Sequence, residues 1–268
     1  MTSDIQSAAP IGLLGAGRMG GALIEGWARA GAIDPKRLII VEPNPSDAIQ
    51  ALGARLNPPT TELGEIRTLI LAVKPQVWKA AAADIAASLA PDAVIVSIAA
   101  GATLADISAA FGGRRVARAM PTTAAAIGKG VASIFAPDPE AHARAHALFE
   151  PVGVTVDLIH ESLMHAATAV SGSAPAYLYA FIEALETAGA KAGLSEKASR
   201  RLARATIAGA SALLEASGEE PAELRRQVTS PGGTTQAALE VLMGKDGLAP
   251  LLEKAVAAAF HRSQDLAG

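Results

Sequence analysis

The chain has 268 residues, of which 50% are hydrophobic, and this length supports one large core or two modest ones, with two domains slightly favoured. A net charge of −3 and an aromatic content of 3% argue against nucleic-acid and anionic-membrane binding. The absence of cysteine excludes disulfides, thiolate catalysis and cysteine–metal sites. The polar start MTSDIQSAAP predicts no signal peptide, and no apolar run is long enough to span a bilayer, so we expect a cytoplasmic protein.

Short apolar runs alternate with helical patterns over the first 158 residues. The runs read IGLL, RLIIVEP, TLILAVKP, AVIVSIAAG, RVARAMP, GVASIFAP and VTVDLI, and helical segments such as QVWKAAAADIAASLA and PEAHARAHALFEPVG lie between them. Strands rich in Val, Ile and Leu that alternate with helices are typical of βαβ units around a parallel sheet. We therefore predict a doubly wound α/β domain over residues 1–158.

The residue pattern changes after residue 158, and no convincing strand pattern follows. A long helical run with a break at SGSAPAY is followed by a second helix. Ser195 is a candidate N-cap for that helix, Gly218 is a candidate residue after its C-cap, and Pro221 lies near the first turn of the next helix. These signals predict an all-helical domain over residues 159–268.

A glycine pattern follows the first predicted strand and opens a helix. Gly15, Gly17 and Gly20 form G-x-G-x-x-G in LLGAGRMGGAL. The first glycine suits a tight turn, the second lets a pyrophosphate approach the backbone, and the third lets the helix pack on the sheet. Because strand, glycines and helix agree, we predict a dinucleotide site rather than a glycine-rich turn without a ligand. Its predicted contacts are Gly15, Ala16, Gly17, Arg18, Met19 and Gly20.

The end of the second predicted strand bears on cofactor choice. Glu42 lies 22 residues after Gly20, where an acid usually binds the ribose hydroxyls of NAD and repels the 2′-phosphate of NADP. The following PNPS segment is able to carry this acid away from the ribose, and Asn44 and Ser46 are able to donate to a phosphate. The sequence therefore leaves the choice between NAD and NADP open.

Two further segments end predicted strands at the edge of the sheet where ligands bind in doubly wound folds. They are AVKPQ and SIAAG, and Lys74 in the first of them is equally well explained as a cofactor contact or as a surface lysine before a turn. The cofactor-binding candidates from these segments are Ala72, Val73, Lys74, Pro75, Ala99, Ala100 and Gly101.

The stretch TSPGGTTQAAL, from Thr229 to Leu239, breaks the helical domain sharply. Proline and glycine disfavour helix interiors, so a new helix is expected to start after Gly233. One capping threonine would satisfy an ordinary helix start. Pro231, two glycines and two threonines are more than a cap requires, which favours a functional site.

Four stretches together carry a resemblance to a known family. They are GAGRMGGA, AVKPQ with VSIAAG, AVSGSAPAYLYAFIEAL and VTSPGGTTQAALEVL, and the last two are specific. From about Ile11 onward the chain resembles Δ1-pyrroline-5-carboxylate reductase, which makes proline by reducing a cyclic imine with NAD(P)H. The resemblance implies a Rossmann domain for NADP(H) and a helical dimerisation domain that interlocks with its twin. It also implies an active site completed at the subunit interface and assembly as a dimer or a dimer-based decamer. NAD(H) stays open because of Glu42.

The resemblance also implies roles for single residues. Gly233 and Thr234 are assigned mainly to the substrate carboxylate, with Thr234 also as the helix cap, and the hydroxyl of Thr235 is assigned to the imine nitrogen. A threonine does not ionise near neutral pH, so Thr235 orients or relays a proton rather than supplying it. The predicted substrate contacts are Glu161, Ser171, Gly232, Gly233, Thr234 and Thr235, with Thr235 as the catalytic residue. Gln227 is a further predicted cofactor contact.

The chain departs from the family at two positions. Thr122 in MPTTAAA replaces the usual asparagine, and Glu220 replaces a histidine that often precedes the proline matched by Pro221. Two alternative functions are compatible with the same predicted architecture. One is a β-hydroxyacid dehydrogenase, with Lys191 as the nearest candidate acid, and the other is a non-catalytic NAD(P)-binding regulator. The intact SPGGTT favours the reductase.

Two other features carry no functional prediction. His142 and His146 are spaced i, i+4, but no third ligand is evident, so we predict no metal site. The basic run GGRRVAR, from Gly112 to Arg118, is interpreted as a solvated strand start rather than a phosphate contact.

Overall fold

A computed structural model describes residues 4–267. Its sheet has eight strands in the order β3-β2-β1-β4-β5-β6-β7-β8. The strands are β1 (Ile11–Leu14), β2 (Leu38–Val41), β3 (Arg55–Leu56), β4 (Thr68–Leu71), β5 (Val94–Ser97), β6 (Val116–Pro121), β7 (Gly130–Phe135) and β8 (Gly153–Asp157). Seven of them coincide with the predicted apolar runs. The two-residue β3 was not predicted, since it is too short to show a pattern.

All neighbouring strands pair in parallel except β6 and β7. The prediction of a parallel sheet therefore holds for every neighbouring pair except this one. Only a short 3-10 turn, Thr123–Ile127, lies between β6 and β7. A parallel return needs a crossover of a dozen or more residues, so this connection gives an antiparallel pair.

Helices cover both faces of the sheet, as a doubly wound fold requires. The first six are α1 (Arg18–Ala30), α2 (Asp47–Gln50), α3 (Trp78–Ile85), α4 (Leu104–Ala110), α5 (Pro139–Phe149) and α6 (Leu163–Ala167). Successive strand residues point to opposite faces, so Val94 and Val96 of β5 join the core beneath α1 and α5, while Ile95 joins the core beneath α3 and α4. The predicted Rossmann-type architecture is confirmed.

The later helices are α7 (Ala174–Lys191), α8 (Glu196–Ser217), α9 (Pro221–Gln227), α10 (Thr234–Leu242) and α11 (Leu248–Asp265). The predicted signals around α8 are confirmed: the Ser195 hydroxyl accepts the N–H of Ala198, and Gly218 adopts a left-handed conformation. Pro221 is the first residue of α9. None of the helices described over residues 4–267 is long and apolar enough to cross a membrane.

The helical run before α7 is interrupted. A π-helical turn, Thr168–Gly172, separates α6 from α7. The hydroxyls of Thr168 and Ser171 donate to the carbonyls of Met164 and Ala167, each four residues earlier. Such bonds bend helices, and Pro175 then lacks the N–H that a continuous helix would use. The predicted small-residue break at SGSAPAY therefore takes the form of a π turn, a type of distortion frequent at functional sites.

By internal packing the described residues fall into two units. The first comprises the residues up to Gly172 and from Phe260 onward, and the second is Ser173–Ala259. The first holds both cores. In the second, Ser199 and Ala203 are the only buried residues. The predicted boundary after residue 158 stays a prediction.

Candidate active site

The glycine loop has the shape that its spacing predicts. Gly15 has φ +96°, and a Cβ there would lie 2.9 Å from the backbone of Ala72. A Cβ on Gly20 would lie 2.4 Å from the carbonyl oxygen of Gly15. Gly17, the N-cap of α1, has nothing within 4 Å of its Cβ position. Gly15 and Gly20 are therefore required by close packing within the protein. Gly17 leaves open space where a ligand approaches the N–H groups of α1.

This loop opens onto a cleft of about 780 Å³ in the first unit. The loop lies between β1 and β4, where the strand order reverses and doubly wound folds bind nucleotides. The cleft is lined by Ala16, Gly17, Arg18, Glu42, Asn44 and Ser46, among others. Thr123 and Ala126, from the turn after β6, add to the lining and were not predicted.

Glu42 follows β2 directly and is held at the glycine loop. One carboxylate oxygen accepts the N–H of Ala16 at 2.8 Å, and the other accepts the N–H of Asn44 at 3.0 Å. Asn57 pairs with the backbone N–H and carbonyl of Glu42, both at 2.9 Å. The segment after Glu42 therefore does not carry the acid away from the loop. Its carboxylate lies where an acid meets the adenosine ribose in dinucleotide-binding folds.

The other predicted cofactor contacts divide into two groups. Asn44 and Ser46 are exposed and line the cleft, although the Ser46 hydroxyl also caps α2 by accepting the N–H of Ile49 at 3.4 Å. The segments 72–75 and 99–101 follow β4 and β5 as predicted, with Lys74 exposed, but they are not among the residues that line the cleft. Their contact with a cofactor stays a prediction.

In the second unit, α10 begins at Thr234 immediately after the glycines. Gly232 has φ +69°, a conformation that favours glycine, and Gly233 is the N-cap. No threonine side chain caps the helix. The assignment of Thr234 as a cap is therefore wrong: Thr234 and Thr235 are the first two helical residues.

Two of the loop N–H groups are already bonded within the unit. The N–H of Gly232 donates to the side-chain oxygen of Gln236 at 2.7 Å, and the N–H of Gly233 donates to the Ser230 carbonyl at 3.0 Å. The first-turn N–H groups, those of Thr234, Thr235 and Gln236, have no carbonyl available inside the helix. The donors that suit an anion therefore begin one residue later than the predicted Gly233.

Glu161 pairs with Arg118, a buried residue of the basic run GGRRVAR. Its Oε1 lies 2.7 Å from the guanidinium of Arg118 and accepts the N–H of Leu104 at 2.6 Å. The Arg118 side chain is only 7% exposed. The interpretation of this basic run as solvated is wrong at Arg118, which is a residue of strand β6 with a buried side chain. In the sequence, the position of Arg118 between the apolar residues of a predicted strand was the signal that its side chain is buried.

Three further positions have intramolecular partners. The Ser171 hydroxyl donates within the π turn at 2.8 Å. The Gln227 amide donates to Glu219 at 2.6 Å. The Thr122 hydroxyl accepts the N–H of Val131 at 3.0 Å, so the residue that replaces the family's asparagine supports the turn between β6 and β7. Ligand contacts by Ser171 and Gln227 stay predictions.

Comparison with known proteins identifies the family. The family described as "Pyrroline-5-carboxylate reductase dimerisation" matches residues 161–266, and "NADP oxidoreductase coenzyme F420-dependent" matches residues 10–101. A pyrroline-5-carboxylate reductase from Synechocystis is 38% identical, covering 96% of this chain and 97% of its own. The chain belongs to the pyrroline-5-carboxylate reductase family. This membership confirms the resemblance and the class of NAD(P)-dependent oxidoreductase.

Solved structures agree with this assignment. A pyrroline-5-carboxylate reductase from Coxiella burnetii is 28% identical, with a TM-score of 0.89 over 97% of this chain and 99% of that one. The Plasmodium falciparum pyrroline carboxylate reductase, solved with NADP bound, is 27% identical, with a TM-score of 0.83 over 96% and 98% of the two chains. The match to a dimerisation domain supports a homo-oligomer.

Proposed function

We propose that the protein transfers a hydride from NAD(P)H to the C=N carbon of Δ1-pyrroline-5-carboxylate, giving L-proline. The hydride and one proton convert the C=N bond to CH–NH, and the nicotinamide is oxidised. Family membership supports this activity. The observation that carries it is the start of α10, where two threonines follow a Pro-Gly-Gly break at a helix N-terminus.

The first turn of α10 suits a small carboxylate. Its N–H groups, together with the positive end of the helix dipole, bind an anion without an arginine. We assign the carboxylate to the N–H groups of Thr234 and Thr235, while Gly232 and Gly233 shape the turn. Glu161, Ser171 and Gln227 remain proposed contacts of substrate or cofactor.

Thr235 is proposed to orient the imine nitrogen through its hydroxyl. Its proton does not leave near neutral pH, so the proton gained at nitrogen comes from the protonated substrate or from water. Hydride transfer to an iminium carbon is chemically easy. Positioning of substrate and nicotinamide therefore supplies most of the rate enhancement.

We further propose that Glu42 makes NADH a better cofactor than NADPH. Its carboxylate is fixed by two backbone N–H groups, so it does not swing aside for a 2′-phosphate. A ribose 2′-hydroxyl would donate to it, whereas a phosphate would be repelled. Arg18, Asn44 and Ser46 line the same cleft and offset part of this repulsion, so NADPH is expected to bind more weakly rather than not at all.

The second unit is proposed to gain its core from a second copy of the chain. Its apolar side chains are exposed in the single chain, among them Tyr179, Leu202 and Leu213 at 63%, 55% and 55%. Apolar surface of this extent marks an interface. We propose a homodimer as the smallest active form, and a decamer and a cytoplasmic location stay predictions.

One assay tests the activity and the cofactor choice together. Oxidation of NADH and of NADPH is followed at saturating Δ1-pyrroline-5-carboxylate, with a β-hydroxyacid as an alternative substrate. We expect turnover with both cofactors, a higher kcat/KM with NADH and none with the hydroxyacid. No turnover of the imine with either cofactor would overturn the proposed activity.

A further inference from the structure

Two imidazoles of α5 face one carboxylate on the edge strand β8. His142 and His146 lie one turn apart, and their ring centroids are 4.3 Å apart. The Nε2 atoms lie 3.0 Å and 2.9 Å from the same oxygen, Oδ1 of Asp157. The sequence shows the histidine pair, but pairing of β8 along the sheet edge brings the third group to it.

We propose that His142, His146 and Asp157 form a binding site for a divalent transition metal, with Zn²⁺ as the ion that their chemistry suits best. Two imidazoles and a carboxylate are a donor set that zinc accepts, and water completes a tetrahedron. Zinc bonds of about 2.0–2.1 Å place neighbouring ligands of a tetrahedron roughly 3.3 Å apart. The three donor atoms all lie within 4.8 Å of one another, so small side-chain movements admit the ion.

A second carboxylate supports the proposal independently. Oε1 of Glu150 lies 3.0 Å from Nδ1 of His146, on the side of the ring away from Asp157. A carboxylate only accepts, so the contacts with Glu150 and Asp157 favour a proton on both ring nitrogens of His146 in the ion-free protein. A metal ion would displace the proton on Nε2, while Glu150 would keep the proton on Nδ1. Metal-binding histidines almost always have such a partner, which fixes both tautomer and ring orientation.

Protons compete with the metal at this site. Burial lowers the pKa of His146, but hydrogen bonds to Asp157 and Glu150 outweigh it and leave the pKa above its ordinary value. Imidazole must be neutral to bind a metal. The site is therefore best tested at about pH 8, where more of the ring is neutral.

The site lies apart from the nucleotide cleft within the first unit. Strands β5, β6 and β7 lie between β8 and β4. The distance from β8 to β4 is therefore four strand spacings, or about 19 Å at roughly 4.8 Å each. The side chains of His142 and Asp157 are 42% and 54% exposed, so an ion reaches them from solvent. A bound ion would join α5 to β8, a structural role that leaves catalysis unchanged.

The test uses the full-length protein without a histidine tag, freed of metal with EDTA. Zn²⁺ is titrated calorimetrically, and the visible absorption of bound Co²⁺ reports the ligand geometry. We expect one ion to bind per chain and Zn²⁺ to raise the Tm. Both the binding and the rise in Tm should be lost in H142A/H146A and in D157N. Glu150→Gln should weaken binding by about 10–100-fold, as loss of a histidine's supporting partner does.

His261→Ala is the matched control, because His261 is an exposed histidine outside the cluster. It should bind Zn²⁺ as the wild type does. Equal zinc affinity in wild type and H142A/H146A, or in wild type and D157N, would overturn the proposal. So would the absence of any calorimetric or Co²⁺ signal in the wild type. D157N alters only an exposed side chain, so it tests the site even if the double variant does not fold.

Discussion

The two units of the chain bury their apolar side chains to very different extents. In the first unit, α1, α5 and the sheet enclose residues such as Trp27 and Phe149, which are 0% and 1% exposed. In the second, helices α7 to α10 and the first part of α11 leave large apolar side chains in solvent, and only Ser199 and Ala203 are buried. We therefore expect the first unit to be stable by itself and the second to be stabilised by the partner chain that covers its apolar side chains.

The glycine loop and the start of α10 lie in different units. The nucleotide cleft is shaped by buried glycines and a strand end, all within a packed core. The proposed substrate contacts Thr234 and Thr235 lie in the unit without one. We therefore expect formation of the substrate contacts on α10 to depend on oligomerisation, and nucleotide binding at the glycine loop to be independent of it.

The largest expected effect comes from charging the exposed face of α8. Leu202 and Leu213 are eleven residues apart, or about 20° around the helix, so they share one face. In a dimer with two-fold symmetry, L202E/L213E would bury four carboxylates at several kcal/mol each. Sedimentation should show monomers at concentrations where the wild type is dimeric.

Ser211→Glu is its matched control, because Ser211 is exposed about 180° from Leu202 around the same helix. It should stay dimeric. NADH binding by L202E/L213E should persist if the first unit is self-sufficient. A dimeric L202E/L213E would contradict the proposed interface.

A smaller loss is expected from the core of the first unit. Trp27 is fully buried, and its indole N–H donates to the Leu148 carbonyl at 2.8 Å. Trp27→Ala should lower the free energy of unfolding by about 3–5 kcal/mol, independently of protein concentration. Denaturant unfolding at several concentrations measures it, with Trp27→Phe as the milder control. A concentration-dependent loss would show that the first unit also relies on assembly.

Thr235→Ala tests whether the second unit holds chemistry as well as an interface. A lost hydrogen bond to a charged group costs about 1.5–3 kcal/mol, so kcat/KM should fall about 10–150-fold with the dimer and Tm unchanged. Thr235→Ser should restore activity. Thr187→Ala, which removes a hydroxyl bonded within α7, is the matched control. Wild-type kinetics for Thr235→Ala would contradict its role.

Local patterns predicted most of the first unit, because strands, caps and the glycine loop are set by neighbours in sequence. Gly15, Gly17 and Gly20 illustrate this, since each takes the position that its spacing predicts. Contacts between residues far apart in the sequence could not be predicted from local patterns. The approach of Asp157 to His146 and the pairing of Arg118 with Glu161 join residues that only the sheet order brings together. The capping of α10 was misread because either Gly233 or Thr234 fits an N-cap.

The smallest expected effect concerns cofactor choice, which lies wholly within the first unit. Glu42→Ala removes the charge that faces the ribose, so the ratio of kcat/KM for NADPH to that for NADH should rise roughly tenfold, or about 1.4 kcal/mol. Glu42→Gln separates two causes, because it keeps an acceptor for the Ala16 N–H but removes the charge. If repulsion decides, both variants shift the ratio. If Glu42 only holds the glycine loop, Glu42→Gln behaves as wild type and Glu42→Ala weakens both cofactors alike. Glu62→Ala, an exposed glutamate outside the cleft, should leave the ratio unchanged.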